Sequence, residues 1–286
     1  MKKRRNIIVI SLIIILIAAW GGKTYVEQRK PAIGLLEIEG DIASSMDYLE
    51  TIQDFEDDEA IKAVLIRIDS PGGIVGPTQE IYQRVLKLKG KKPVVISMGA
   101  LGASGAYYIA CAADMIYCLP GTLTGSIGIM MEFMDVSEGI AKLGIKAGSI
   151  TSGNLKDAGT PFRPMSEAER AYFRDVIEDS HAQFVEAVAK GRHLPQEQVR
   201  VLASGRIYTG RQAKKLGLID RLGGYDDALD EAKRRAGIKG KPRIVKPSQP
   251  TGFYELVGRY LDSYAPRSLK AGIGLARSVR LEYRMF

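Results

Sequence analysis

Histidine and cysteine are both scarce in this sequence, which contains two of each among 286 residues. Cys111 lies in an apolar helical run and Cys118 in the apolar strand that follows, with no CxxC motif and no histidine near either. A metal site needs more ligands than these, so we expect no metal at the cysteines. We expect both thiols to be small buried core residues.

The shortage of histidine also argues against a Ser-His-Asp triad. His181 lies within a long helical pattern, Ser166 to Lys190, and His193 lies in the polar break Gly191 to Pro195. Neither residue lies in a glycine-rich turn or at a strand end, so we interpret both as surface or helix-packing residues. A catalytic serine would then need a carboxylate or a lysine as its base. Burial must lower the pKa of such a lysine by about 3 units from about 10.4.

Net charge is almost absent from the middle of the chain. Residues 31–250 carry a net charge of −1, whereas residues 1–30 carry +6 and residues 251–286 carry +3. A neutral body argues against a nucleic-acid-binding domain, and the basic ends favour contact with a membrane.

The N-terminus combines a basic flank with an apolar run. The stretch from Ile7 to Trp20 has no charged residue, although a spanning helix needs about 17–25 residues. Flanking lysines and Trp20 at the interface reduce that shortfall. We predict a membrane anchor at residues 7–26, with residues 1–6 in the cytoplasm and the body on the other side. A cleaved signal peptide, cut near Ala19 to Gly21, is the alternative.

Apolar strands and amphipathic helices alternate after Pro31. The strand patterns lie at Ile33 to Ile38, Ala63 to Ile68 and Pro93 to Met98, and the helical patterns lie at Asp41 to Asp58 and Gly76 to Leu88. This βαβ rhythm predicts an α/β fold whose sheet is largely parallel.

Two glycine-rich turns follow consecutive strands of this pattern. One is Asp69 to Gly73, which we expect to interrupt any helix or strand, and the other surrounds Gly102. Ligands of α/β folds bind at the carboxyl ends of strands. Gly72 and Gly73 could expose backbone N–H groups as an oxyanion hole, in which each donor contributes about 3–4 kcal/mol. An ordinary loop with helix-capping glycines is the alternative.

Ser104 is bracketed by Gly102 and Gly105 and opens an apolar helical run. Its hydroxyl would lie at a helix N-terminus, where N–H groups stabilise an anion, so it is a candidate nucleophile. The alternative is a simple helix N-cap. The flank is not G-x-S-x-G, because Ala106 stands where the second glycine would be.

Lys156 is the candidate base with the best context. It lies in the polar, glycine-containing loop Thr151 to Pro161, just before the helix that begins near Ser166. A solvated loop lysine is the alternative, and composition alone does not separate the two.

Five segments, taken in order, resemble the short form of the signal peptide peptidase A family of membrane serine proteases. The resemblance covers about Ile33 to Ala236, and its segments are Ser70–Gly73, Gly102–Ala110, Thr124–Gly128, Asn154–Pro161 and Gly205–Asp220.

The resemblance implies roles for six residues, in a Ser/Lys dyad, a hydroxyl that orients the lysine, and an oxyanion hole. They are Ser104 as nucleophile, Lys156 as general base, Ser126 as the orienting hydroxyl, and Gly72 or Gly73 with the N–H of Gly105 as the oxyanion hole. The family usually has glycine where Ala106 stands, which bears on the shape of the pocket.

The resemblance also implies a fold, an assembly and a substrate class. The fold would be a Clp-protease/crotonase-like α/β spiral of ββα units, preceded by a transmembrane helix. Short members form ring-like homo-oligomers, and the serine and lysine of one site can come from neighbouring protomers. The implied substrates are signal peptide remnants and other extended apolar peptides at the cytoplasmic (inner) membrane, and the implied mechanism calls for no metal or cofactor.

We accordingly divide the chain into the anchor, a protease domain at residues 31–238 and a basic tail at residues 239–286. Two other functions remain open from the sequence. A crotonase-type acyl-CoA enzyme would share the oxyanion hole but would need neither Ser104 nor an anchor. A non-catalytic membrane scaffold of the same fold would form no acyl adduct on Ser104.

Overall fold

The computed structural model describes residues 30–247 and the strand 282–284. The predicted anchor and most of the predicted tail lie outside these residues. Within the described part, no helix combines the length and the apolar character needed to cross a bilayer.

Nine strands form one sheet, and eight helices pack around it in the described part of the chain. The strands are β1 (Ala32–Ile42), β2 (Ile61–Ile74), β3 (Val94–Ala103), β4 (Met115–Cys118), β5 (Leu123–Gly125), β6 (Ile207–Thr209), β7 (Arg221–Leu222), β8 (Arg243–Val245) and β9 (Glu282–Arg284). The helices are α1 (Met46–Asp57), α2 (Val75–Lys89), α3 (Gly105–Ala110), α4 (Ser137–Lys142), α5 (Glu167–Arg192), α6 (Gln196–Leu202), α7 (Gly210–Lys215) and α8 (Tyr225–Arg235).

The sheet is largely parallel, as the βαβ rhythm predicts. Its main strand order is β6-β5-β3-β2-β1-β8, with β4 and β7 continuing from the first half of β3. Antiparallel pairing occurs between β5 and β6 and between β2 and β9. The first half of β3 pairs with β4 and its last residues pair with β5, so β3 ends in a branch of the sheet.

The core lies on both faces of the central strands. Along β2, Val64, Ile66 and Ile68 belong to the larger cluster, whereas Ala63 and Leu65 belong to the smaller one, which α8 covers. Successive strand residues point to opposite faces, so a strand covered on both sides is apolar throughout. This explains the apolar run from Ala63 to Ile66 that marks β2 in the sequence.

The structure corrects one prediction about the glycine turn after Ile68. We expected Asp69 to Gly73 to interrupt the strand, but β2 continues to Ile74. It continues because Gly72 and Gly73 pair with the end of β1 after a register shift near Gly40. The same pairing keeps the chain extended at Asp41, so the first helix begins at Met46 and not at Asp41.

Residues 129–165, which we call the arm, differ from the rest of the described chain. None of residues 128–168 is buried, and residues 141–156 are all exposed. The arm contains only the short helix α4. Its base is held to the start of α5 by Phe133 against Phe173, with ring centroids 4.5 Å apart, and by Arg163 against Glu169 at 2.6 Å.

Candidate active site

Ser104 lies at the junction of β3 and α3, at the branch of the sheet. Its backbone carbonyl accepts the first helical hydrogen bond of α3, from Tyr108 N–H at 2.9 Å. Its backbone has φ 53° and ψ −121°, a conformation that L-residues rarely adopt, and its side chain makes no capping hydrogen bond. The Ser104 Oγ is buried and has no hydrogen-bond partner among the described residues. The N-cap alternative therefore does not account for this hydroxyl.

The structure brings Ser126 close to Ser104 through the backbone between β5 and the next turn. Ser104 N–H donates to the carbonyl oxygen of Gly125 at 2.8 Å. Ser126 is nearly buried and has φ 49°. Outside glycine, positive φ values occur in the described part of the chain at Ser104, Ser126 and His193. Two of these three strained residues are thus the serines that the sequence singled out.

The glycine segment of β2 lies beside the same branch, because Ser70 pairs with Gly102 of β3. Gly72 has φ 106°, and its N–H donates to Ser70 Oγ at 3.1 Å. A Cβ at Gly73 would lie 2.2 Å from the carbonyl oxygen of Ile42, so only glycine fits there without movement of backbone. These two glycines therefore allow a close backbone approach next to Ser104.

Strand β9 pairs with the end of β2, on the edge that β3 no longer covers after Ser70. It pairs antiparallel with Gly72, Gly73 and Ile74. The other edge of Gly72 and Gly73 pairs with β1, so β9 lies on the edge of β2 that β3 occupies as far as Ser70. Strand β9 also contacts α3, which begins immediately after Ser104. The backbone beside the candidate nucleophile can thus accept an extended chain as an added strand.

Asp69 supports the end of β3 in a way that the sequence analysis did not anticipate. Its carboxylate accepts hydrogen bonds from the N–H groups of Ala100 and Leu101, at 3.3 and 3.1 Å. A Cβ at Gly99 would lie 2.5 Å from Asp69 Oδ2, so a larger residue there would displace this carboxylate. The only sequence signal for this role is an acidic residue at the end of a buried strand.

Two threonines on β5 and the turn before it also hold this end of β3. Thr122 Oγ1 donates to the carbonyl oxygen of Gly99, and Thr124 Oγ1 donates to that of Gly102, both at 2.7 Å. Both threonines are buried. Their spacing of two residues, which puts both hydroxyls on one face of a strand, was the available signal.

Lys156 lies far out on the arm, in a turn between residues 153 and 159, and its side chain is exposed. Its N–H donates to the Gly153 carbonyl oxygen at 3.1 Å. Since Ser104 Oγ has no hydrogen-bond partner within the described chain, Lys156 Nζ makes no hydrogen bond to it there. One copy of the chain thus brings together Ser104, Ser126 and the glycine segment but leaves Lys156 at the surface.

The histidines and cysteines behave as the sequence predicts. His181 contacts the carbonyl oxygen of Ala203 through Nε2 at 2.8 Å, and His193 ends α5 in a left-handed conformation. Burial raises the pKa of the Cys111 thiol to about 12 and that of Cys118 to about 11, and both thiols are free and buried. Neither thiol is suited to act as a thiolate nucleophile at neutral pH. Within the described residues, no three acidic, histidine or cysteine side chains are grouped as metal ligands.

Comparison with known proteins places the chain in a family. Residues 87–239 match the model of peptidase family S49. A Methanocaldococcus jannaschii protein described as a protease is 39% identical over 228 residues, which cover 79% of this chain and 72% of the relative. A Synechocystis protein, also described as a protease, is 39% identical over 77% of this chain and 78% of the relative.

A third relative carries a more specific description. An Enterococcus faecium protein described as a signal peptide peptidase is 35% identical over 72% of this chain and 60% of the relative. The segment that the family model matches contains the buried Ser104 and the arm described above. The chain therefore belongs to peptidase family S49, among serine proteases of the signal peptide peptidase A type.

Proposed function

We propose that the protein is a membrane-anchored serine endopeptidase whose nucleophile is Ser104 and whose general base is Lys156. The observation that carries this proposal is the Ser104 side chain, which is buried and unpartnered among the described residues on a strained turn. A hydroxyl that makes no hydrogen bond to the rest of the chain is available to a base and to a substrate carbonyl. A crotonase-type acyl-CoA enzyme would have no use for such a hydroxyl.

The reaction would proceed in two steps. Neutral Lys156 takes the proton of Ser104 Oγ as that oxygen bonds to the scissile carbonyl carbon, and the N–H of Gly105 with that of Gly72 or Gly73 stabilises the oxyanion. When the C–N bond breaks, the Lys156 ammonium gives its proton to the departing amine. Lys156 then takes a proton from the water that attacks the acyl-enzyme, and it returns that proton to Ser104 Oγ as the ester bond breaks and the carboxyl product leaves.

The base would come from a second copy of the chain. The arm exposes apolar side chains with no cover in the described chain, among them Leu143 at 76% and Ile150 at 105%. Exposed apolar surface of this kind is typical of an interface. In a ring-like homo-oligomer the arm of one protomer would carry Lys156 to the Ser104 of its neighbour, where Ser126 would orient the amine. A monomer would then be inactive.

The substrate would bind as an extended strand. The pairing of β9 with Gly72 to Ile74 supports this, because the same backbone groups would pair with a peptide laid beside Ser104. Extended apolar segments, such as the signal peptide remnants left in a membrane, fit this mode. Such substrates agree with a catalytic body that residues 7–26 anchor to the inner membrane. For that body we propose the Clp-protease/crotonase-like spiral fold.

Cleavage of a fluorogenic apolar peptide by the detergent-solubilised protein tests the dyad. We expect Ser104→Ala and Lys156→Ala each to lower kcat/KM by at least about 10³-fold, because each removes a group that acts in the chemical step. Lys146→Ala is the matched control, since Lys146 is another exposed lysine of the arm, and it should keep full activity. Full activity in Lys156→Ala would overturn the base assignment, and a Ser104→Ala chain that still cleaves would overturn the nucleophile.

A further inference from the structure

Ser70, at the start of the glycine segment, is fully buried and uses its hydroxyl twice. Ser70 Oγ donates to the carbonyl oxygen of Gly40 at 2.6 Å and accepts from Gly72 N–H at 3.1 Å. The hydroxyl therefore connects the end of β1 to the residue on which the glycine segment bends.

The sheet is irregular on both sides of Ser70. The pairing of β1 with β2 shifts register between Glu39 and Asp41, and that of β2 with β3 shifts between Ile68 and Ser70. Buried backbone groups at such breaks need another partner. The Ser70 hydroxyl supplies an acceptor to the buried Gly72 N–H, where the ladder is interrupted, and it also donates to the carbonyl of the exposed Gly40.

We propose that Ser70 is a positioning residue for the oxyanion hole, an inference that rests on the proposed function. The Gly72 N–H already donates to Ser70 Oγ. Of the two glycines, Gly73 is therefore the one whose N–H donates to the substrate oxygen. Gly72 has φ 106°, and a glycine could adopt many other conformations. Ser70 holds the backbone of Gly72 in this one conformation. The direction of the Gly73 N–H depends on that conformation.

The consequence falls on the transition state and not on substrate binding. An oxyanion forms only as the carbonyl is attacked, so a misdirected donor lowers kcat and leaves KM nearly unchanged. A displacement of a fraction of an ångström is enough to matter for such a donor.

The experiment compares Ser70→Ala with Ser180→Ala in the full-length, detergent-solubilised protein. Ser180 is also a buried serine whose Oγ donates to a backbone carbonyl, that of Val176 at 3.0 Å, but it lies on α5. Active sites are counted with a fluorophosphonate, so that kcat refers to competent enzyme. A peptide aldehyde, whose adduct places an oxyanion in the hole, provides a second readout that a loss of stability alone does not move.

We expect Ser70→Ala to lower kcat per titrated site by about 10- to 100-fold, with KM changed by less than about twofold. The inhibition constant of the aldehyde should rise by a similar factor. Ser180→Ala should change none of the three by more than about twofold, whatever its melting temperature. Unchanged kcat and aldehyde affinity in Ser70→Ala would overturn the proposal.

A second variant covers the case in which Ser70→Ala does not fold. Ser70→Cys keeps the shape of the side chain with a weaker donor and acceptor, so its kcat should lie between those of Ser70→Ala and the wild type. Full kcat in a folded Ser70→Cys would also contradict the proposal. A wild-type protein without Ser104-dependent cleavage would overturn the proposed function itself, which is measured first.

Discussion

The segment around Ser104 and the arm are neighbours in sequence but differ in burial and in hydrogen bonding. Around Ser104 the side chains are buried and the backbone is strained, and hydroxyl and carboxylate groups bind carbonyl and N–H groups at the end of β3. The arm has no buried residue and presents apolar side chains to solvent. One half of the proposed dyad is therefore built within a single chain, whereas in our proposal the other half comes from a neighbouring chain.

The largest expected effect comes from mixing two inactive variants. Ser104→Ala and Lys156→Ala chains, coexpressed and purified as one assembly, should regain activity, because the arm of the first reaches the serine of the second. Random association leaves about a quarter of the sites complete, so the rate should reach about a quarter of the wild-type rate. The peptide cleavage assay measures it. No recovery in a mixed assembly would mean that both groups come from the same chain.

Gly73→Ala should test how tightly the nucleophile side is packed. The added Cβ would lie 2.2 Å from the Ile42 carbonyl oxygen, which belongs to the backbone and cannot rotate away. We expect the free energy of unfolding to fall by about 2–4 kcal/mol. Chemical denaturation measures the change.

Gly76→Ala is the control for that substitution. A Cβ there meets nothing within 4 Å and lies in helix α2, so stability should rise by up to about 1 kcal/mol. Equal stabilities of the Gly73→Ala and Gly76→Ala chains would show that the close approach at Ile42 is not rigid.

Ile150→Glu tests the arm as an interface. Ile150 is fully exposed in the single chain, so folding stability should change by less than about 0.5 kcal/mol. Assembly should weaken, because a charge would enter an apolar contact. Sedimentation of the detergent complex measures the assembly.

Val201→Glu, on α6, is the matched control for the arm. Val201 is 80% exposed and lies outside the arm, so the same charge should leave assembly unchanged. If both variants assemble like the wild type, this part of the arm is not the contact surface.

The smallest expected effect concerns the join between the arm and α5. The Arg163 guanidinium, together with the Ser166 N–H, lowers the pKa of Glu169 from 4.5 to about 2. A lowered pKa stabilises the folded state above about pH 4.5, and this contribution is lost as the pH falls towards 2. Glu169→Gln should therefore flatten the dependence of stability on pH between 5 and 3. Glu167→Gln, on the same turn but exposed, is the control and should leave the slope as in the wild type.

Local patterns were sufficient to predict most of the central elements. The helix predicted at Gly76 to Leu88 spans Val75–Lys89, and the helix predicted from Ser166 begins with a capping box between Ser166 and Glu169. These elements could be predicted because apolar periodicity and capping residues act over a few neighbouring positions.

The parts of the site that could not be predicted depend on contacts between residues far apart in the sequence. The extension of β2 to Ile74 depends on its contact with Ile42, about thirty residues earlier. The roles of Asp69 and Thr124 likewise depend on which carbonyl or N–H the sheet brings to them. Lys156 as base remains a prediction, because in the single chain it is exposed and makes no hydrogen bond to Ser104 Oγ.

The left-handed backbone at Ser104 has a consequence for how this protein evolves. Holding an ordinary side chain there costs about 1–3 kcal/mol, which glycine would escape. Selection for folding stability alone would thus favour replacement of Ser104 by glycine, and the proposed peptidase activity would be lost. If Ser104 is the nucleophile, as we propose, its hydroxyl persists only where peptide cleavage is under selection.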